Sequence, residues 1–222
     1  VESVAATPNI RESFLEHRQS FATSWVDRWV LPNPFIKELH HVLKDLGVEL
    51  VDFSFNREAT SVGDTFLNVA IRRLNAAAKI GLDSVTFSAA NPDWGDAPRL
   101  VSLFDSVAST VCETVQAAPA FQETTLVLHI TSDTVDFRTA TASLVNRGTL
   151  GEAAFYGITR HRADGSLMID KSVRYEGGVF VRIQRKSLGE DSFAKIASRI
   201  YEDEVSALAL LGLTGNERGN AQ

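Results

Sequence analysis

Cysteine is almost missing from this sequence. Cys112 is the sole one in 222 residues, which excludes an intrachain disulfide and any zinc site built from cysteine pairs. So little cysteine fits a reducing cytoplasm, the expected location. Long apolar runs are missing too, so no segment is expected to span a bilayer. Val1 to Ile10 lacks a basic stretch followed by an apolar one and does not read as a signal peptide. Positive charge is in deficit: 22 Lys and Arg face 28 Asp and Glu, for a net charge of −6. That balance argues against a general nucleic-acid binder, whose phosphate contacts require surplus bases.

Local catalytic signatures are lacking as well. There is no Gly-rich phosphate loop before a helix, no His-Glu-x-x-His and no nucleophile elbow. Gly177-Gly178 is too short to cradle a phosphate and reads as a hairpin. His40 and His41 are adjacent on a helix, where neighbouring side chains diverge, so they make a poor chelate. No metal or cofactor is expected. Cys112 shares an apolar stripe with Val107, Ala108, Val111 and Val115, with no activating group one turn away, and reads as a small buried hydrophobe.

What is present is a 44% hydrophobic, 23% charged composition, ordinary for a globular chain, and an order of elements that runs twice. Thr7-Pro8 is a sound helix start, and Ile10, Phe14, Phe21, Trp25 and Trp29 follow helical spacing. The spacing predicts an N-terminal aromatic amphipathic helix over 1–32. A first α+β half is expected over 33–133: a helix from Asn33 to Gly47, strands between Val48 and Ala89, a helix capped by Asp96, and a central strand Thr124–Thr131. A second half is expected over 134–213: a short helix, three strands between Glu152 and Lys186 turning at Ala163-Asp164-Gly165 and Glu176-Gly177-Gly178, and a last helix from Glu190 to Leu211. A flexible tail would complete the chain over 214–222. The fold expected is α+β with two similar halves, each a short antiparallel sheet with helices packed on one face.

Ala76 to Ile130 carries a more particular layout: paired strands, the turn Asn91-Pro92-Asp93-Trp94, a helix bearing Leu103-Phe104, then Thr125-Leu126-Val127-Leu128-His129-Ile130. This resembles a sporadically distributed family of uncharacterised bacterial proteins, in which a Pro-x-Trp turn opens a long helix before a central strand. Pro92 and Trp94 are the residues in common. The family's central strand usually ends in Arg-Tyr-x-Asn, where this chain has His129-Ile130-Thr131-Ser132. The resemblance implies a second strand-rich half closing on a helix, and no known reaction.

Three groups of residues are candidates for function. His129 lies out of phase with Leu126, Leu128 and Ile130, either as an imidazole in a cleft or as a hydrogen-bonded core histidine. From Gly151 to Leu188, seven bases outnumber four acids. Period-two phasing places Arg174, Arg182 and Lys186 on one sheet surface, as an anion site or as a solvated face. Aromatics for base stacking are sparse there, so nucleic acid is an unlikely partner. Phe14, Phe21, Trp25 and Trp29 would anchor a helix on a partner or on the chain's own sheet.

These observations lead to a non-catalytic interaction or assembly protein, self-associating through the aromatic helix or a sheet edge, with itself or another protein as partner and no membrane. The alternative is a binding protein for a small anionic ligand, or an enzyme, with its site between the two sheets at His129, Arg174, Arg182 and Lys186.

Overall fold

A period-two alternation of buried and solvent-facing side chains runs through most strands of the molecule, and it begins earlier than expected. The computed structural model describes residues 7–22, 24, 32–56, 64–92, 96–144, 157–189 and 191–214. In chain order the elements are β1 (Asn9–Ser20), α1 (Pro32–Leu43), β2 (Phe53–Phe55), β3 (Thr65–Ile71), β4 (Ala76–Gly81), β5 (Ser84–Ala90), α2 (Ala97–Val115) and β6 (Phe121–Thr131). They continue as α3 (Phe137–Ser143), β7 (Ile158–Arg162), β8 (Gly165–Lys171), β9 (Val179–Leu188) and α4 (Phe193–Leu210). The protein is therefore α+β.

The nine strands among the described residues form one sheet in the order β2-β3-β4-β5-β1-β6-β9-β8-β7, with antiparallel pairing along both meanders. This overturns the expected pair of small sheets and the expected N-terminal helix. Both errors have one cause. β1 is the strand between β5 and β6, so a helical reading of residues 9–20 removes the strand that makes the sheet continuous. Leu15, His17 and Gln19 are its buried positions, and Phe21, just past its end, continues the alternation. Two of these are polar, which hides the alternation of a half-buried strand. Phe14 is exposed and Phe21 buried, as a strand requires of residues an odd number apart. Trp25 and Trp29 lie outside the described residues.

The chain divides into two compact units. One comprises residues 15–124 and 186–197, the other residues 1–14, 125–185 and 198–222; β1, β6, β9 and α4 each contribute residues to both. In the first unit, Leu67, Val69, Ile71, Ala78, Ile80, Val85 and Phe87 bury one face of the meander. α2 supplies Leu100, Leu103, Phe104, Val107 and Val111, and α1 supplies Phe35, Leu39 and Leu43. Pro98 sits in the first turn of α2 and Gln116 closes it in a left-handed conformation, as helix ends favour. A line of rings threads this core: Phe87 to Phe104 at 4.6 Å, Phe104 to Phe193 at 4.9 Å, and Phe193 to His17 at 4.6 Å. Burying each phenyl ring stabilises by about 2–3 kcal/mol.

In the second unit, Leu126, Leu128, Ile130, Leu167, Ile169, Val179, Val181 and Ile183 are buried. Arg162 reaches Asp203 of α4 at 2.5 Å, and Arg185 reaches the same carboxylate at 2.6 and 3.0 Å. Arg185 also pairs with Asp164. α3 starts at Asp136, whose carboxylate accepts the Arg138 N–H at 3.1 Å, a side-chain cap. Among the described residues no helix is long and apolar enough to cross a membrane.

Candidate functional site

A polar cluster of the second unit forms where the turn after β8 meets β1 and β6. Residues 172–178 reverse the chain between β8 and β9. Gly177 takes φ +69°, a left-handed conformation that costs glycine little. Ser172 organises this turn: its Oγ accepts the N–H groups of Arg174 at 3.2 Å and Tyr175 at 3.1 Å. Ser172 N–H donates to the Gly178 carbonyl at 3.0 Å, and Gly178 N–H donates to the Tyr175 carbonyl at 3.1 Å. A Cβ on Gly178 would stand 2.9 Å from the Ile130 carbonyl oxygen, so the turn must lie close to β6.

Two side chains then tie the turn to Glu12 of β1. Tyr175 Oη donates to Glu12 Oε1 at 2.7 Å, and Arg174 pairs with Glu12 Oε2. Together with the positive field of Arg174, the tyrosine hydrogen bond holds the Glu12 carboxyl below its usual range, with burial opposing. The same bond to a carboxylate pushes the Tyr175 hydroxyl up. Arg11 Nε donates to Thr131 Oγ1 at 3.0 Å.

His129 is buried in this cluster. Its Nδ1 is 2.9 Å from Ser172 Oγ, and its ring lies 5.3 Å from Phe180 and 5.9 Å from Tyr175. The hydrogen-bond inventory fixes the tautomer. A serine oxygen has two lone pairs and one proton; both lone pairs face amides, so the proton is left for His129 Nδ1. The ring is then neutral with hydrogen on Nε2. Burial, aided by Arg174 and opposed by Glu12, lowers its pKa, in keeping with a neutral ring.

The basic residues singled out from the sequence have separate fates. Arg174 joins His129 in the cluster, and its charge faces Glu12. Arg182 is exposed on β9, two residues from Phe180 and opposite Met168 of β8. Lys186 lies 4.0 Å from Glu123, an exposed pairing of little energetic weight. Cys112 is half-buried with burial pushing its thiol up, which suppresses the reactive thiolate. His40 sits 6.1 Å from Phe53. Among the described residues no group of three or more His, Cys, Asp or Glu converges as a metal site.

No protein-family model matches this chain, and no curated protein sequence matches it. The reading of function rests on the geometry.

A second feature lies in the first unit, at an end of the sheet. β2 is the outermost described strand on its side and pairs inward with β3 through Phe53↔Val69, Ser54↔Asn68 and Phe55↔Leu67. A 3-10 turn, Leu50–Asp52, leads into it. Asp52 fastens that turn by accepting the Glu49 N–H at 2.9 Å and pairing with Arg72 at 2.9 Å. The turn presents Leu50 at 64% and Val51 at 77% exposure, and Phe55 at the end of β2 is 37% exposed. Phe55 rests edge-on against Phe66 at 5.7 Å.

Sequence reasoning missed Glu12, Ser172 and the Leu50-Val51 pair. Glu12 falls within the stretch 1–32 whose spacing predicts a helix, and nothing local links it to residues 172–178. Ser172, five residues before Gly177, carried a legible sign of a serine-capped turn. Leu50 and Val51 read as strand interior, because composition does not distinguish a sheet's edge from its centre.

Proposed function

We propose that this chain is a non-catalytic assembly protein that self-associates through the β2 edge of its sheet. One observation carries the reading: two large apolar side chains, Leu50 and Val51, are held on a fastened turn next to an outermost strand. Edge strands are templates for pairing with another chain, and folds usually blunt them with charge or proline. Here the turn into β2 carries Glu49 and Asp52, but Asp52 is taken up by the Glu49 N–H and Arg72, and the turn presents Leu50 and Val51. β2 is only three residues long, so backbone pairing would contribute little and the apolar contact would dominate. Two copies meeting at β2 would form an isologous interface, each burying its Leu50, Val51 and Phe55 on the other. Reducing cytoplasm remains the proposed setting, from the cysteine content.

The test is sedimentation velocity at about 100 μM, where a dimer of micromolar affinity is well populated. The wild type is expected to sediment as a dimer and the Leu50→Asp/Val51→Asp variant as a monomer with unchanged far-ultraviolet dichroism. A monomeric wild type, or a variant that stays dimeric, removes the proposal.

A further inference from the structure

We infer that the turn over residues 172–178 is a pH-responsive element, held shut by neutral His129 and released when its imidazole takes up a proton. The inference concerns the second unit and is independent of the β2-edge reading.

The argument is one of donors and acceptors around a single oxygen. Ser172 Oγ accepts from two backbone amides, those of Arg174 and Tyr175, and gives its proton to His129 Nδ1 at 2.9 Å. All three bonds are compatible only while Nδ1 carries a lone pair. Protonation converts Nδ1 into an N–H donor aimed at an oxygen whose two lone pairs already face amides. Three donated hydrogens then compete for two lone pairs, and the Ser172 proton loses the acceptor it had. The strain falls on the two amide bonds that shape the turn, since His129 lies on strand β6 and is the more firmly fixed partner.

The surroundings set the pH window. Glu12 from β1 faces the imidazole with negative charge, Arg174 from the turn with positive charge, and Tyr175 and Arg11 complete the charged and titratable neighbours through Glu12. β9 contributes the uncharged ring of Phe180. Glu12 is already occupied by Tyr175 and Arg174, so it does not offer the imidazolium a hydrogen bond without giving one up. Release is expected below the ordinary histidine value of 6.5, the direction in which burial moves this group.

Opening the turn has a visible consequence at its tip. Val173 is 96% exposed and directly follows Ser172. With the turn shut, the valine has one fixed presentation; with it released, the segment from Val173 to Gly177 loses the bonds that define its path.

Amide hydrogen exchange of Arg174 and Tyr175, read by NMR between pH 7.5 and 5 and corrected for intrinsic exchange, tests the inference. Protection of both amides should fall at least about tenfold as His129 titrates, while amides of β6 and β9 stay protected. Because Asn offers an acceptor in place of Nδ1 that does not titrate, His129→Asn should keep protection constant across that range. Ser172→Ala should lose it at every pH. Protection that does not change with pH in the wild type overturns the proposal, as does an equal fall in His129→Asn.

Discussion

His17 is a buried core residue of β1. Its Nδ1 lies 2.8 Å from Thr124 Oγ1 on the neighbouring strand, and its ring meets Phe193 at 4.6 Å. Next to it, Gln19 donates to Gln122 at 3.2 Å, and Gln122 in turn donates to the carbonyls of Leu188, Gly189 and Asp191. Burial lowers the His17 pKa to about 4, against a smaller opposing pull from Gln122. The folded value lies below the unfolded value of 6.5, so the folded state refuses a proton that the unfolded chain accepts. Stability from this source is complete above pH 6.5 and is lost as pH falls toward 4, by about 3 kcal/mol. Urea unfolding at pH 7 and pH 4.5 should show this, with His17→Phe removing most of the difference between the two. An unchanged difference in the variant would place the pH dependence elsewhere. Asp203 makes a different case, a buried carboxylate shared by two guanidinium groups. It serves Arg162 and Arg185 together, and its removal would leave the largely buried Arg185 guanidinium with the more exposed Asp164 alone. Asp203→Ala should cost about 3–5 kcal/mol in a denaturation experiment. A loss under 1 kcal/mol would mean that solvent replaces the carboxylate.

At the scale of elements, the turns were read more accurately than the first strand. The hairpin expected at Ala163-Asp164-Gly165 joins β7 to β8 through the pair Arg162↔Gly165, and Gly165 is required by close approach. A Cβ there would fall 1.9 Å from the Gln184 carbonyl oxygen of β9. Gly165→Ala should therefore force β8 and β9 apart and destabilise by about 2–3 kcal/mol, visible as a lowered thermal midpoint. An unshifted midpoint would show that the hairpin accommodates a methyl. α2, α4 and the meander strands were legible because their apolar periods are regular, although Asp96, at the N-cap position of α2, makes no side-chain cap there. β1 was not, because its core-facing positions include His17 and Gln19, which are buried only by virtue of Thr124 and Gln122 on another strand. Pairings between residues more than a hundred positions apart leave no local trace. The same reason governs the polar cluster: His129 and Arg174 were singled out, but Glu12 joins them through contacts across more than 160 residues.

Across the whole molecule, charge sets how copies of the chain meet. Each carries a net charge of −6, and the turn into β2 includes the acids Glu49 and Asp52, with Asp52 paired to Arg72. Two copies brought together there repel through bulk charge, while Leu50, Val51 and Phe55 supply the attraction by leaving water. Salt screens the first effect over about 10 Å at 0.1 M and leaves the second little changed. Association through β2 should consequently tighten when sodium chloride is raised from about 0.05 to 0.5 M, the reverse of a contact held by opposite charges. Lowering the pH toward the isoelectric point near 5.4 should tighten it further, until the loss of stability from His17 intervenes. Sedimentation velocity across that salt series separates the possibilities. A dimer that dissociates with added salt would assign the interface to ion pairs, and would move it away from the apolar edge to a surface where bases such as Arg160 or Arg182 stand exposed.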